Sequence, residues 1–248
     1  METFFDSEER QNPTIEILFQ DEHLLIVNKP SGFLVHKTDI DFYTESNMVS
    51  LLRKQLGKWV YPVHRLDKAT SGVLMFGFDR DSAHLLCQLF AKRDIQKEYL
   101  AVVRGHTKVC GHIDSPLTDL EKTGAKQEAC TDYELISAYE HPFPVRPYAS
   151  ARYSLLRVKP LTGRQHQIRR HLKHIFHPII GDTRYGDGKH NQHCRSSFKC
   201  TRLMLHASAL KFIHPYQKQV LTINAPTPKC FSAVLTQMST CLSHTGIT

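Results

Sequence analysis

The 248-residue chain has no run of about 18 apolar residues, the length a helix needs to cross a bilayer, so no membrane span is expected. Residues 1–12 carry Glu2, Asp6, Glu8 and Glu9 without the apolar core of a secretory signal, and read as a disordered or frayed acidic lead. There is no Cys-x-x-Cys. The seven cysteines are odd in number and scattered, which argues against a disulfide framework and for reduced thiols in the cytoplasm. No internal repeat or low-complexity linker interrupts residues 13–248. They read as a single domain, long enough to bury roughly 70–75% of the unfolded chain's surface. The most informative absence is local. Residues 151–181 contain no Asp or Glu, yet hold seven bases: Arg152, Arg157, Lys159, Arg164, Arg169, Arg170 and Lys173. Nearly all of the formal net charge of +8 lies there. A merely solvated face usually intersperses acids, so this stretch points to a phosphate-bearing partner.

Apolar spacing organises the rest. Short strands are predicted at 15–19 and 24–27, followed by a loop punctuated by Pro30 and Gly32. A helix over 44–56 would have Ser46 as N-cap and Gly57 beyond its end. Residues 73–76 form an apolar run with the character of a buried strand, and Leu85, Leu86, Leu89 and Phe90 stripe a helix over 82–92. Further strands are expected at 97–104, 129–139 and 153–158, with loop and short strand pieces over 109–127 and a Pro-rich surface loop over 141–147. Thr162 and Gln165 have the spacing of a capping box opening a helix that runs through Lys173, with Ile168, Leu172 and Ile175 on its buried side. Residues 181–200 read as a long polar loop, 203–213 and 220–223 as a closing hairpin, and Thr227-Pro228 as the start of a C-terminal helix. Neighbouring strands with helices set between them predict an α+β fold with a largely antiparallel sheet.

One stretch, from Tyr61 to Gly72, carries the strongest chemical signal. Pro62 before it and Ser71-Gly72 after it place His64-Arg65-Leu66-Asp67 on a turn or short extended segment. Residues two apart then point the same way, so Arg65 and Asp67 share a rim while Leu66 turns inward. An idle surface ion pair is the competing reading. For Asp67 to act as an ionised nucleophile, a nearby guanidinium must hold its pKa down against desolvation, and Arg164, Arg169 and Arg170 are candidates. Tyr99 is a candidate aromatic for stacking on a base beside a basic groove.

These residues belong to longer blocks. His64-Arg65-Leu66-Asp67 followed by Thr70-Ser71-Gly72-Val73-Leu74 resembles the signature motif of the RluA-type pseudouridine synthases. Asn28-Lys29-Pro30-Ser31-Gly32 with Val35-His36 resembles their first motif, and Lys97-Glu98-Tyr99 the segment holding their active-site tyrosine. Thr162-Gly163-Arg164-Gln165-His166-Gln167-Ile168-Arg169-Arg170-His171-Leu172, continuing to His177-Pro178-Ile179-Ile180-Gly181-Asp182, resembles their third. The resemblance implies the pseudouridine synthase fold: α+β, with a largely antiparallel mixed sheet flanked by helices and loops and an active-site cleft across the sheet. It implies isomerisation of an RNA uridine with no cofactor and no metal. By resemblance Asp67 is the catalytic aspartate, Tyr99 packs on the target base and is implicated in proton transfer, and Arg169 pairs with the catalytic carboxylate. Arg65 fills the gap left when the uridine leaves its stack, and Ile168 packs at the base pocket. Arg152, Arg164, Arg170 and Lys173 complete the expected RNA-binding set. The short chain, without an S4-type RNA-binding domain, resembles the branch acting on uridine 65 of tRNA; a ribosomal-RNA synthase of the same family is the alternative. A cytoplasmic monomer acting on tRNA is expected.

Three other readings compete. A metal enzyme would use His190, His193, Cys194 and Cys200, but their spacing lacks the paired ligands of a structural zinc site. A non-catalytic RNA-binding protein would explain the basic stretch and leave Asp67 without a purpose. An aspartate hydrolase would want a second acid, and no Asp-x-Asp or paired Glu stands beside Asp67.

Overall fold

The computed structural model describes residues 13–36, 47–120, 124–145 and 148–240. In chain order the elements are β1 (Glu16–Gln20), β2 (Leu24–Lys29), α1 (Met48–Leu56), β3 (Tyr61–Pro62), β4 (Ser71–Gly77), α2 (Arg80–Ala91), β5 (Gln96–Arg104), β6 (Cys110–Asp114), β7 (Leu117–Thr118) and β8 (Lys126–Gln127). They continue as β9 (Cys130–His141), β10 (Ala151–Pro160), α3 (Gln167–His174), α4 (Gly188–Phe198), β11 (Leu205–Ile213), β12 (Val220–Asn224) and α5 (Lys229–Thr240). The described residues fall into two compact units, one up to Ile95 together with Ala209–Pro226, the other Gln96–Ser208 together with those from Thr227 on. No helix among them is long and apolar enough to cross a membrane.

In the first unit β2 pairs antiparallel with β1 and β4, and β3 adds to the end of β4. Residues 209–213 of β11 form a hairpin with β12, Ala209 opposite Asn224 and Ile213 opposite Val220. Leu24 and Ile26, Val73 and Met75, and Leu210 and Phe212 alternate at period two into one core with Leu86 of α2. The intervening Leu25, Val27, Leu74 and Phe76 are fully buried as well, so β2 and β4 read as continuous apolar runs. Each such side chain contributes about 1.5–3 kcal/mol of burial. Helix α2 lies close against β4 because Gly77 has no side chain: a Cβ there would sit 2.6 Å from the Ala83 amide nitrogen. Asp79 caps α2 by accepting from the Ser82 N–H at 2.7 Å.

In the second unit β10 is central, pairing antiparallel with β5 on one side and β9 on the other, and β6 pairs with β9. Helix α3 follows β10 after a turn at residues 161–166, and α5 packs against α4 and β9. The observed α+β architecture is the expected one, and each strand pairing given above is antiparallel.

Three expectations are corrected or reassigned. The 181–200 segment is not a polar loop: α4 occupies Gly188–Phe198, capped by Asp187, whose carboxylate accepts from the Lys189 and His190 N–H groups. The Thr162–Gln165 capping box does not form. Helix α3 begins at Gln167, with His166 at φ 54° and no side-chain cap, because the Thr162 hydroxyl is taken up by the Cys130 N–H at 3.1 Å. The N-cap of α1 is Asn47, accepting from the Ser50 N–H at 3.1 Å; Ser46 lies outside the described residues.

Candidate active site

The loop between β3 and β4 presents its side chains as the alternation predicts. Leu66 is buried, Arg65 is exposed and Asp67 is half-buried. What holds the loop is Lys29, the last residue of β2, whose side chain is completely buried. Its Nζ donates to the carbonyl oxygens of Thr70 at 2.7 Å, Pro30 at 2.9 Å and Lys68 at 3.1 Å. Ser31 adds a hydroxyl bond to the Ala69 carbonyl at 2.7 Å, and the Gly32 N–H one to the Lys68 carbonyl at 2.7 Å. The Thr70 N–H closes a turn onto the Asp67 carbonyl at 3.0 Å. The carbonyls of residues 68, 69 and 70 are therefore all held by the Asn28–Gly32 motif. A side chain at position 67 leaves this loop from a fixed backbone. His64 fastens the other flank: its Nε2 accepts the Met75 N–H at 3.0 Å while its ring stacks 4.5 Å from Phe90.

In the second unit Tyr99 is half-buried on β5, opposite Val158 of β10. Lys97, two residues earlier, donates to the Thr162 carbonyl at 2.8 Å and so ties β5 to the turn before α3. Gln167 locks that turn. Its Oε1 accepts the Thr162 hydroxyl at 2.6 Å and the Arg164 N–H at 3.0 Å, while its Nε2 donates to the Cys130 carbonyl and the Thr131 hydroxyl, both at 2.9 Å. The amide thus uses both acceptor sites and both donors. One turn on, His171 is fully buried, its Nε2–H donating to the Ser115 carbonyl at 3.0 Å and its Nδ1 accepting from Thr131 at 2.9 Å. Burial holds its pKa below the ordinary histidine value, so it is a neutral strut at pH 7.

On this helix Ile168 and Arg169 are buried. Arg169 makes a bidentate pair with Asp182, Nε to Oδ2 at 2.7 Å and a terminal nitrogen to Oδ1 at 2.9 Å. Asp182 also accepts the N–H groups of Arg184 and Tyr185, each at 2.9 Å. Burial alone would push its carboxyl up, but Arg169 and these two amides outweigh that and hold it below the usual carboxylate range. Position 181 must be glycine for this geometry: its φ is 79°, and a Cβ would run into the Arg202 carbonyl. The Tyr185 ring then collects cations, with Arg169 at 5.1 Å, Arg184 at 5.4 Å and Lys173 at 6.0 Å from its centroid.

The other expected RNA contacts differ in what they already hold. Lys173 is exposed beside Tyr185. Arg170 donates to the Thr118 carbonyl at 2.9 Å and Arg164 to the Glu128 carbonyl at 3.0 Å, so both brace backbone. Arg152 pairs with Glu140 at 3.0 Å. Asp67 and Arg65 belong to the first unit; Tyr99, Ile168, Arg169 and the remaining bases belong to the second. Lys29, Asp182, Tyr185 and Gln167 escaped the residue-by-residue reading although three of them lie inside the motif blocks. A lysine reads as surface, and the acid that pairs with Arg169 stands thirteen residues away, after the helix has ended.

The RNA pseudouridylate synthase family model matches residues 23–174. A tRNA pseudouridine synthase C of Haemophilus influenzae is 44% identical over 90% of this chain and 97% of its own. One from Pasteurella multocida is 48% identical over 86% of this chain and 91% of its own. Among solved structures, Human RNA Pseudouridylate Synthase Domain Containing 4 matches with a TM-score of 0.71 and 25% identity, over 90% of this chain and 93% of that one.

Proposed function

Since the chain belongs to the RNA pseudouridylate synthase family, we propose that it isomerises one uridine of tRNA to pseudouridine, at position 65, with Asp67 as the reacting carboxylate. The observation that carries this reading is the clamped loop: the buried Lys29 ammonium and Ser31 hold the carbonyls at 68, 69 and 70 and so set the backbone from which Asp67 projects. A nucleophile needs such a fixed origin, since misplacement by about 1 Å can cost 100-fold in rate. An idle surface carboxylate does not.

A uridine in folded RNA must first leave its stack, at a cost of a few kcal/mol. Arg65, exposed on the same rim, supplies a planar cation that stacks in the vacated space. The freed base lies against Tyr99, with Ile168 completing the apolar wall. In this reading Arg169, its plane set by Asp182, is the cationic partner of the catalytic carboxylate. Asp67 attacks either C1′ of the sugar or C6 of the base. The N1–C1′ bond breaks, the uracil turns, C1′ rejoins at C5, the bond to Asp67 breaks to free the carboxylate, and the proton on C5 passes to solvent while N1 regains one. No electron or water is consumed, and in this reading no cofactor or metal takes part. In this reading residues 13–248 act as a single catalytic domain. The enzyme acts as a monomer in the cytoplasm, where reduced thiols and tRNA are found together.

The test is tritium release from RNA made with 5-tritiated uridine, run separately on bulk tRNA and ribosomal RNA, followed by mapping of the modified position. Release from tRNA at position 65 is expected. Release from ribosomal RNA alone moves the substrate to the ribosome, and no release from either leaves a non-catalytic RNA-binding protein.

A further inference from the structure

The β6–β9 ladder carries a group of side chains that the isomerisation does not use. His112 stands opposite Asp132 and Asp114 opposite Cys130. Strand alternation turns these four to one face, while Ile113 and Thr131 between them are buried on the other. Ligand atoms of His112, Asp114 and Cys130 all lie within 4.8 Å of one another. Cross-strand neighbours and next-but-one residues on a single face can converge in this way without distorting the backbone.

We propose that His112, Asp114 and Cys130 form a binding site for a divalent transition cation of the zinc class, oriented by Asp132. The donor set decides the class. One imidazole, one carboxylate and one thiolate suit zinc or cobalt, whereas magnesium and calcium take oxygen ligands. The outer contacts are already arranged. His112 Nδ1 lies 2.6 Å from Asp132 Oδ1, which assigns the Nδ1 proton to that carboxylate and leaves Nε2 as the metal-binding nitrogen. The Cys130 thiol donates to Asp114 Oδ1 at 3.4 Å, so a proton now bridges the two atoms that the cation would bridge. Metal binding therefore displaces that proton to solvent, and water completes a four-coordinate shell. The side chains that carry the ligand atoms are exposed or half-buried and can rotate to bring those atoms to metal–ligand distances of about 2.0–2.3 Å.

The backbone beneath the site is fixed. The Cys130 N–H donates to Thr162, and its carbonyl accepts from Gln167 and from the Leu161 N–H. Ser115, next to Asp114, is tied to Ala129 and to His171. A cation at this position would cross-link β6 to the strand that anchors the start of α3, and so brace the helix that carries Arg169.

The experiment uses the full chain, stripped of metal by a chelator and kept under a non-chelating reductant. Titration with Co²⁺ should saturate at one ion per chain and give a thiolate-to-cobalt charge-transfer band, with Zn²⁺ displacing it and one proton released per ion. Cys130→Ser should abolish the band and His112→Ala the stoichiometric binding, whereas Cys87→Ser should leave both unchanged. Asp132→Asn should weaken binding about 10–100-fold. All four site residues are at least partly exposed, and circular dichroism checks that each variant is folded. Absence of saturable binding, a charge-transfer band that survives Cys130→Ser, or unchanged stoichiometry in His112→Ala overturns the site.

Discussion

Each unit pins a functional stretch with a buried cation, and the two cations are held by different chemistry. In the first unit Lys29 donates to three backbone carbonyls. In the second Arg169 is locked face to face with the Asp182 carboxylate. A carbonyl is rigidly part of the chain, so an ammonium bound to three of them dictates the path of a loop. A carboxylate matches the plane of a guanidinium, so the Arg169–Asp182 pair dictates the orientation of one side chain. Lysine places the segment that bears Asp67; aspartate aims the arginine. A third buried basic group sharpens the contrast. His193 is 3% exposed, its Nε2 meets no hydrogen-bond partner among the described residues, and its ring stacks 4.1 Å from Phe143. Burial lowers its pKa to about 4, so it is retained as a neutral aromatic surface.

Breaking the charge-matched pair should have the largest effect. Asp182→Asn breaks the buried ion pair that orients the Arg169 guanidinium, at a cost of about 3–5 kcal/mol, read as a lowered denaturation midpoint with loss of tritium release. The neutral histidine comes next. Its folded pKa lies below the ordinary 6.5, so the unfolded state takes up the proton first. Its contribution is complete above pH 6.5 and is lost as pH falls toward 4, amounting to about 3 kcal/mol over that window. Burial lowers His141, His171 and His190 in the same direction. Denaturation followed from pH 7 to 5 should show stability falling, and His193→Phe should flatten the slope; an unchanged slope would assign the pH dependence elsewhere. Lys29→Met strands carbonyls that its ammonium now satisfies and should cost about 2 kcal/mol. Because it loosens the loop and not the RNA contacts, it should lower kcat with little change in tRNA affinity. Equal losses in both would place Lys29 in binding. The smallest effect belongs to Arg152→Ala. Its surface pair with Glu140 is worth about 0–1 kcal/mol of stability, and if Arg152 meets phosphate the salt slope of tRNA binding should fall by roughly one.

The parts of the fold governed by aliphatic periodicity were legible in the sequence. All seven residues of β4 are buried, and the inward Leu66 between Arg65 and Asp67 followed from strand alternation. What escaped has particular physical causes. Helix α4 has a regular buried stripe at positions 190, 193, 194 and 198, but its members are His, His, Cys and Phe, and histidine counts as polar until burial has neutralised it. The true start of α3 depends on a hydroxyl–amide contact between Thr162 and Cys130, 32 residues apart, which no local cap rule contains. Lys29 and Asp182 sit inside recognisable motifs, yet their roles arise only once the chain has brought three carbonyls and one guanidinium to them.

The central claim is that Asp67 reacts and does not merely bind. Single-turnover tritium release from 5-tritiated tRNA, measured beside tRNA affinity for the wild type and Asp67→Asn, addresses it directly. Asp67→Asn should give no detectable release, with affinity within about threefold of wild type, a difference under 1 kcal/mol. Substantial release by the variant, or a loss of affinity that accounts for the loss of release, would contradict it.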